Sequence, residues 1–291
     1  MKRNDKSLTQ LFADFVANRT EESRVSCAKS DRRSARQIKR LALHGVTTTQ
    51  ELVDALPRLP PGLRDFGIWW VSRVRARGAE GVLLQLLHDE PKYRLSCAAA
   101  LSSIGGRRAT REFMQIGETQ LAMPRPDFDW LDVVIKGLRF PECPGAEEIL
   151  LTIFERTDLP GWLRGNTGDA LSWCPQLQDR RTSFFRRAWK SAMEGIFDME
   201  IEIQFWSMYV VAILALNNSS QSMRSNHRFR PALARLREIQ ANDHRLAPGF
   251  WWPMSAEAED VICVINTGHW PEHDAGDRWH GSTTRGPMSL S

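Results

Sequence analysis

The sequence is defined first by what it lacks. Its five cysteines (Cys27, Cys97, Cys143, Cys174 and Cys263) are scattered and form no C-x-x-C pair. That excludes a disulfide framework and a zinc ribbon, and it suits a chain kept reduced in the cytoplasm. The longest strongly apolar run, Met208 to Leu216, falls far short of the ~20 residues a membrane span needs. The N-terminus runs from Met1-Lys2-Arg3 into an amphipathic segment with no apolar core, so no signal peptide is expected. Asn-Gly and Asp-Gly dipeptides are missing, and so is sustained apolar–polar alternation, which argues against hairpins and strands. G-x-S-x-G, Walker A, G-x-G-x-x-G and H-E-x-x-H are missing too. A non-enzymatic protein without cofactor or metal is therefore expected.

What is present is ordinary globular composition, 42% hydrophobic and 25% charged, which speaks against wholesale disorder. Lysine supplies seven of the 39 basic residues and arginine the rest. The net charge of +4 is unevenly spread. Residues 1–113 hold 21 Lys and Arg against 12 Asp and Glu, whereas residues 114–291 hold 18 against 23. Such asymmetry marks either a basic binding surface or solvated outer faces of helices.

Apolar residues recur with helical spacing. Leu8, Leu11, Phe12, Phe15 and Val16 form one stripe, and Val82, Leu83, Leu86 and Leu87 a second. Ile149, Leu150, Ile153 and Phe154 form a third, and Phe184, Phe185, Ala188, Trp189, Ala192 and Met193 a fourth. Breakers separate them: Pro60-Pro61-Gly62, Glu90-Pro91, Gly105-Gly106, Pro124 to Pro126, Pro144-Gly145, Pro160-Gly161 and Asn217 to Ser220. The acidic groups Glu147-Glu148, Glu200/Glu202 and Asp127-Asp129-Asp132 suit helix starts through the macrodipole.

The helices repeat. Asp89 to Arg94 (DEPKYR) is echoed by Asp158 to Arg164 (DLPGWLR), and the register carries Ala98 onto Gly168, Ala100 onto Ala170 and Leu101 onto Leu171. Arg64, Gln204 and Glu257 begin weaker versions of the same pattern. This resembles the HEAT repeat, and more closely the bacterial HEAT-like repeat first noted in phycobilin lyases. The stretches that carry it are Asp89 to Gly105, Leu159 to Leu171, Ile201 to Ala212 and Pro248 to Ile262.

The resemblance implies an all-α fold, an armadillo-like α-α superhelix of about six to seven helix pairs. Its expected organisation is an N-terminal capping helix and loop over residues 1–30, a repeat array over 31–266 and a largely disordered tail over 267–291. It also implies that the second helix of each pair lines a concave, partner-binding face. There the candidates are Trp69, Tyr93, Trp130, Trp162, Trp206 and Trp252, of the residue types enriched in binding hot spots. The competing role for tryptophan is core packing between helix layers. Arg94, Arg164 and Asp169 are expected to form a structural ladder along the stack, as arginine and aspartate do in HEAT-type repeats. His269, His273 and His280 lie among glycines and a proline, a poor frame for a metal site.

Three functions follow. The leading expectation is a cytoplasmic scaffold or adaptor, with an immunity-like role as its narrower form, that binds another protein through the concave face. An alternative is nucleic-acid binding by the basic first part, through Arg32, Arg33, Arg36, Arg40, Arg73 and Arg77. The third, by fold analogy alone, is a tetrapyrrole lyase or chaperone. On the fold, far-UV circular dichroism is expected to show helix dominating the spectrum. A sizeable strand component would end the solenoid reading.

Overall fold

Each predicted apolar stripe becomes a helix whose stripe faces a neighbour. The computed structural model describes residues 6–18, 21–140, 143–178, 182–216, 229–250 and 252–272, with backbone alone for 21–26, 175 and 178. The described residues form fourteen α-helices and a few 3-10 turns, with two isolated bridges and no strand. The fold is all-α. No helix among them is long and apolar enough to cross a membrane.

The chain divides by its packing into two units, Met1–Phe113 and Met114–Ser291. The first contains α1 (Leu8–Ala17), α2 (Glu21–Leu43), α3 (Thr49–Ala55), α4 (Pro61–Arg73), α5 (Glu80–Asp89) and α6 (Arg94–Ile104), and α7 (Arg107–Ala122) starts in it. Ser7 caps α1 by accepting from the Gln10 amide, and Thr48 and Glu51 form a reciprocal capping box on α3. Helices α3 and α4 pair, α5 and α6 pair, and α4 lies against α6. Leu52, Leu56, Leu63, Ile68, Trp70, Leu83, Leu87, Cys97 and Leu101 fill the space between them. Phe12 of the N-terminal stripe reaches Trp70, with ring centroids 6.1 Å apart.

The second unit holds α8 (Phe128–Gly137), α9 (Ala146–Glu155), α10 (Gly161–Leu171), α11 (Ser183–Gly195), α12 (Ile201–Leu216), α13 (Arg230–Asn242) and α14 (Met254–Thr267). Here α9 pairs with α10, α11 with α12, and α13 with α14. The second members form a succession of neighbours, α8 to α10 to α12 to α14, while α9 lies against α11. Helix α12 is apolar on all sides because both α10 and α14 cover it, and Phe205, Met208, Val211 and Leu214 are buried.

Helix α10 lies close against α12. A Cβ on Gly165 would stand 3.0 Å from the Glu202 backbone oxygen, and one on Gly168 only 2.8 Å from Trp206 Cβ. The equivalent of Gly168 in α6 is Ala98, also fully buried. Small residues at this register position thus let second helices lie close together, and dispersion contacts grow as they do.

Helix α2 runs unbroken through residue 30, so no break separates a capping segment from the rest of the chain there. Past Thr267 the chain is still packed: Trp270 stacks on Tyr209 with centroids 5.3 Å apart, because an exposed aromatic face there has an aromatic partner within reach. The rest of the expected tail, 273–291, lies outside the described residues, as do the Asn217 to Ser220 breaker and His273 and His280.

Gly168→Leu is expected to destabilise the chain by about 1–3 kcal/mol or more through overpacking against Trp206. Gly62→Ala, at a helical glycine with open space around it, is expected to be neutral or to add about 0.4–1 kcal/mol. Urea unfolding midpoints check both.

Candidate functional site

Three of the second helices, α4, α10 and α12, share a device at their fourth residue. In α4 this is Arg64, whose Nη2 donates to the carbonyls of Pro57 (2.8 Å) and Leu59 (3.1 Å) and whose Nη1 pairs with Glu90. In α10 it is Arg164, whose Nε donates to Phe154 O at 3.2 Å while Nη1 lies 3.6 Å from Asp198. In α12 it is Gln204, whose Nε2 donates to Ile196 O (3.2 Å) and whose Oε1 accepts from Arg245 (2.8 Å). Counting from Pro91, Arg94 holds the same place and donates to Leu87 O at 3.3 Å. Each acceptor lies at or just past the end of the first helix of the pair, where carbonyls have no intrahelical donor.

The expected ladder therefore has other rungs. Asp169 does not meet Arg164; it accepts from Arg139 at 3.0 Å. Five residues beyond Arg164, it points from another side of α10. The acid that serves Arg164 is Asp198, in the loop before the next second helix, and Glu90 serves Arg64 in the same way. In the last pair the polarity inverts: fully buried Glu257 is the fourth residue of α14 and accepts from Trp252 Nε1 at 3.0 Å.

The partner-face candidates separate by exposure. Tyr93 and Trp252 are only 1% and 4% exposed, so their rings are core and offer nothing to a partner. Tyr93 is covered by the Arg64 guanidinium, 5.2 Å from its centroid, and Trp252 is stacked with Phe250 at 4.3 Å. Trp130 and Trp206 are half-buried, and Trp206 packs edge-on to Phe205 and Tyr209. Trp69 and Trp162 are exposed, at 42% and 41%. Trp69 lies five residues after Arg64, and Trp162 two before Arg164. Seven residues is close to two turns, so both project from the same side of their own helices. Leu95, exposed and directly after Arg94, is a neighbour of that side missed from sequence. Its place beside the register arginine was the available signal. Phe128, Phe140, Phe197 and Met199 are also exposed, and aromatic type alone did not single them out.

The basic candidates separate too. Arg32, Arg33, Arg36 and Arg40 are exposed on α2, with Lys29 and Lys39 beside them. Arg33, Arg36, Gln37 and Arg40 border an open cleft of about 510 Å³. Arg73 is elsewhere, at the end of α4 with its guanidinium 4.8 Å from the Phe15 ring, and Arg77 is in the turn before α5.

Burial pushes the Cys97 thiol up to about 12 and raises Cys174 as well, so neither is a nucleophile at neutral pH. Among the described residues no three His, Cys, Asp or Glu side chains gather as metal ligands would. Compared with known proteins, the chain matches no family model, no curated protein and no solved structure.

The Arg245 side chain and backbone amide hold the Asp243 carboxyl below its ordinary range. A depressed carboxylate stabilises the fold above its unfolded pKa, and this is lost as pH falls through the lower folded value. Arg245→Ala should therefore cost most stability near neutral pH, and its deficit against wild type should narrow below about pH 4. Urea unfolding along a pH series measures this. Part of the deficit should persist in acid, because Arg245 also serves Gln204 and the Met199 carbonyl.

Proposed function

We propose that this chain is a cytoplasmic, non-enzymatic adaptor of HEAT-like build whose second helices grip another protein. Three features support the reading. Helix pairs follow one another with their second members adjacent within each unit. The fourth-residue connection recurs in three pairs, through Arg64, Arg164 and Gln204, as in a repeat whose units contact only their neighbours. The observation that carries the function is the exposure of Trp69 in the first unit and Trp162 in the second, each at a matching place on its own second helix. A large ring left about two-fifths exposed stays in contact with water, and its burial against a partner is a ready source of binding energy.

The test is quantitative affinity capture with the wild-type chain and with Trp69→Ser/Trp162→Ser. The wild type is expected to retain one protein in near-stoichiometric amount, and the double variant to lose at least about tenfold of it, the loss of one modest hot spot. Both side chains are partly exposed, so circular dichroism of the variant should match wild type. Failure to retain any stoichiometric partner, or full retention by the folded double variant, would overturn the proposal.

A further inference from the structure

From Lys29 to Arg40 the exposed face of α2 is cationic. Lys29, Arg32, Arg33, Arg36, Lys39 and Arg40 are all exposed, while Ser34, Ile38 and Leu41 are buried. At about 100° per residue the six cations fall within roughly a third of the helix circumference, opposite the buried residues. They span about 16 Å of helix axis at ~1.5 Å per residue. Across residues 27–44 the one acid is Asp31, which is half-buried and turned well away from that arc.

The arginines are held without being neutralised. Arg32 Nε donates to Ala28 O (3.4 Å), Arg36 Nε to Arg32 O (3.3 Å) and Arg40 Nη1 to the Gln37 amide oxygen (3.2 Å). Each acceptor is neutral. Among the described residues none of the six cations pairs with a carboxylate. Like charges this close repel one another, and a polyanion is what relieves that repulsion.

We infer that this ridge binds the phosphate backbone of double-helical nucleic acid, independently of sequence. Guanidinium groups match phosphate oxygens bidentately, and four of the six cations are arginine. No aromatic residue lies on the ridge, so it lacks the stacking platform that single-strand binders combine with charge. Nor does it offer lipid an apolar face: Ile38 and Leu41 point inward, and among the described side chains of α2 the one large apolar residue outside, Leu43 (87% exposed), stands at the helix end. The buried aromatic anchors of a protein interface are missing from it as well. This inference uses neither Trp69 nor Trp162 and stands apart from the protein-binding reading.

Fluorescence anisotropy of a labelled mixed-sequence duplex, with the full chain at low salt, tests it. Arg33→Ala/Arg36→Ala/Arg40→Ala should weaken binding at least about tenfold and make the slope of log K against log salt shallower by about 0.9 for each phosphate no longer neutralised. A charge-matched control, Arg125→Ala/Arg230→Ala/Arg237→Ala, removes three exposed arginines from the other unit and should stay within about twofold of wild type. The inference is overturned if the duplex is not bound at low salt, or if the ridge variant, folded by circular dichroism, binds like wild type. Tighter binding to single strands, to anionic vesicles or to polyglutamate than to the duplex would overturn it equally.

Discussion

Three of the helix pairs depend on one repeated connection: the fourth residue of α4, α10 and α12 fastens the end of its own first helix to the loop of the next pair. Helices leave their last carbonyls without donors, and a buried carbonyl without a donor costs about 1–3 kcal/mol. Arg64 and Arg164 supply that donor and still have guanidinium nitrogens left for Glu90 and Asp198. One side chain thus fixes the turn within a pair and the stacking between pairs. Gln204 does the same with different chemistry. Its neighbour across the gap is Arg245, a donor, so the linking side chain must donate to Ile196 O and accept from Arg245, which an amide does and a guanidinium does not.

Close packing builds on that connection. Once the loops are tied, the bodies of consecutive second helices are brought side by side, and the residues between them must be small. Gly165 and Gly168 meet this demand against α12. The wall of α12 is then free to be apolar all round, and its large residues fill the space towards α14. Among the helices, α2 carries the densest charge. The exposed tryptophans, one in each unit, and the cationic ridge are what remains after these internal demands are met.

Much of this was legible in the residues themselves. Apolar stripes such as Leu83, Leu86 and Leu87 place a helix and its buried face, since periodicity is a local property. The register joining Arg94 to Arg164 located the fourth-residue position, and Ala98, Ala100 and Leu101 are buried like Gly168, Ala170 and Leu171. The basic character of Arg32, Arg33, Arg36 and Arg40 was equally plain. The partner of Arg164 was not. Asp169 is near in sequence, but Asp198 is the acid delivered by the next loop. Nor was it legible that Tyr93 and Trp252 are core while Trp69 and Trp162 are exposed, because all four sit on or beside second helices and aromatic type does not tell them apart.

By itself, then, the sequence determined the helical class, several of the breaks between helices, the position of the linking residue and the sign of the charge on α2. Each follows from residues within about two turns of one another, where backbone geometry alone sets who is neighbour to whom. Tertiary structure decided the rungs of the ladder, the close approach of α10 to α12 and the division of the aromatics between core and surface. Those depend on groups far apart in the chain, 26 residues for Arg64 and Glu90 and 41 for Gln204 and Arg245. Which of many polar groups fills such a gap is settled by how the helices pack, because a buried donor takes the acceptor that packing brings within reach.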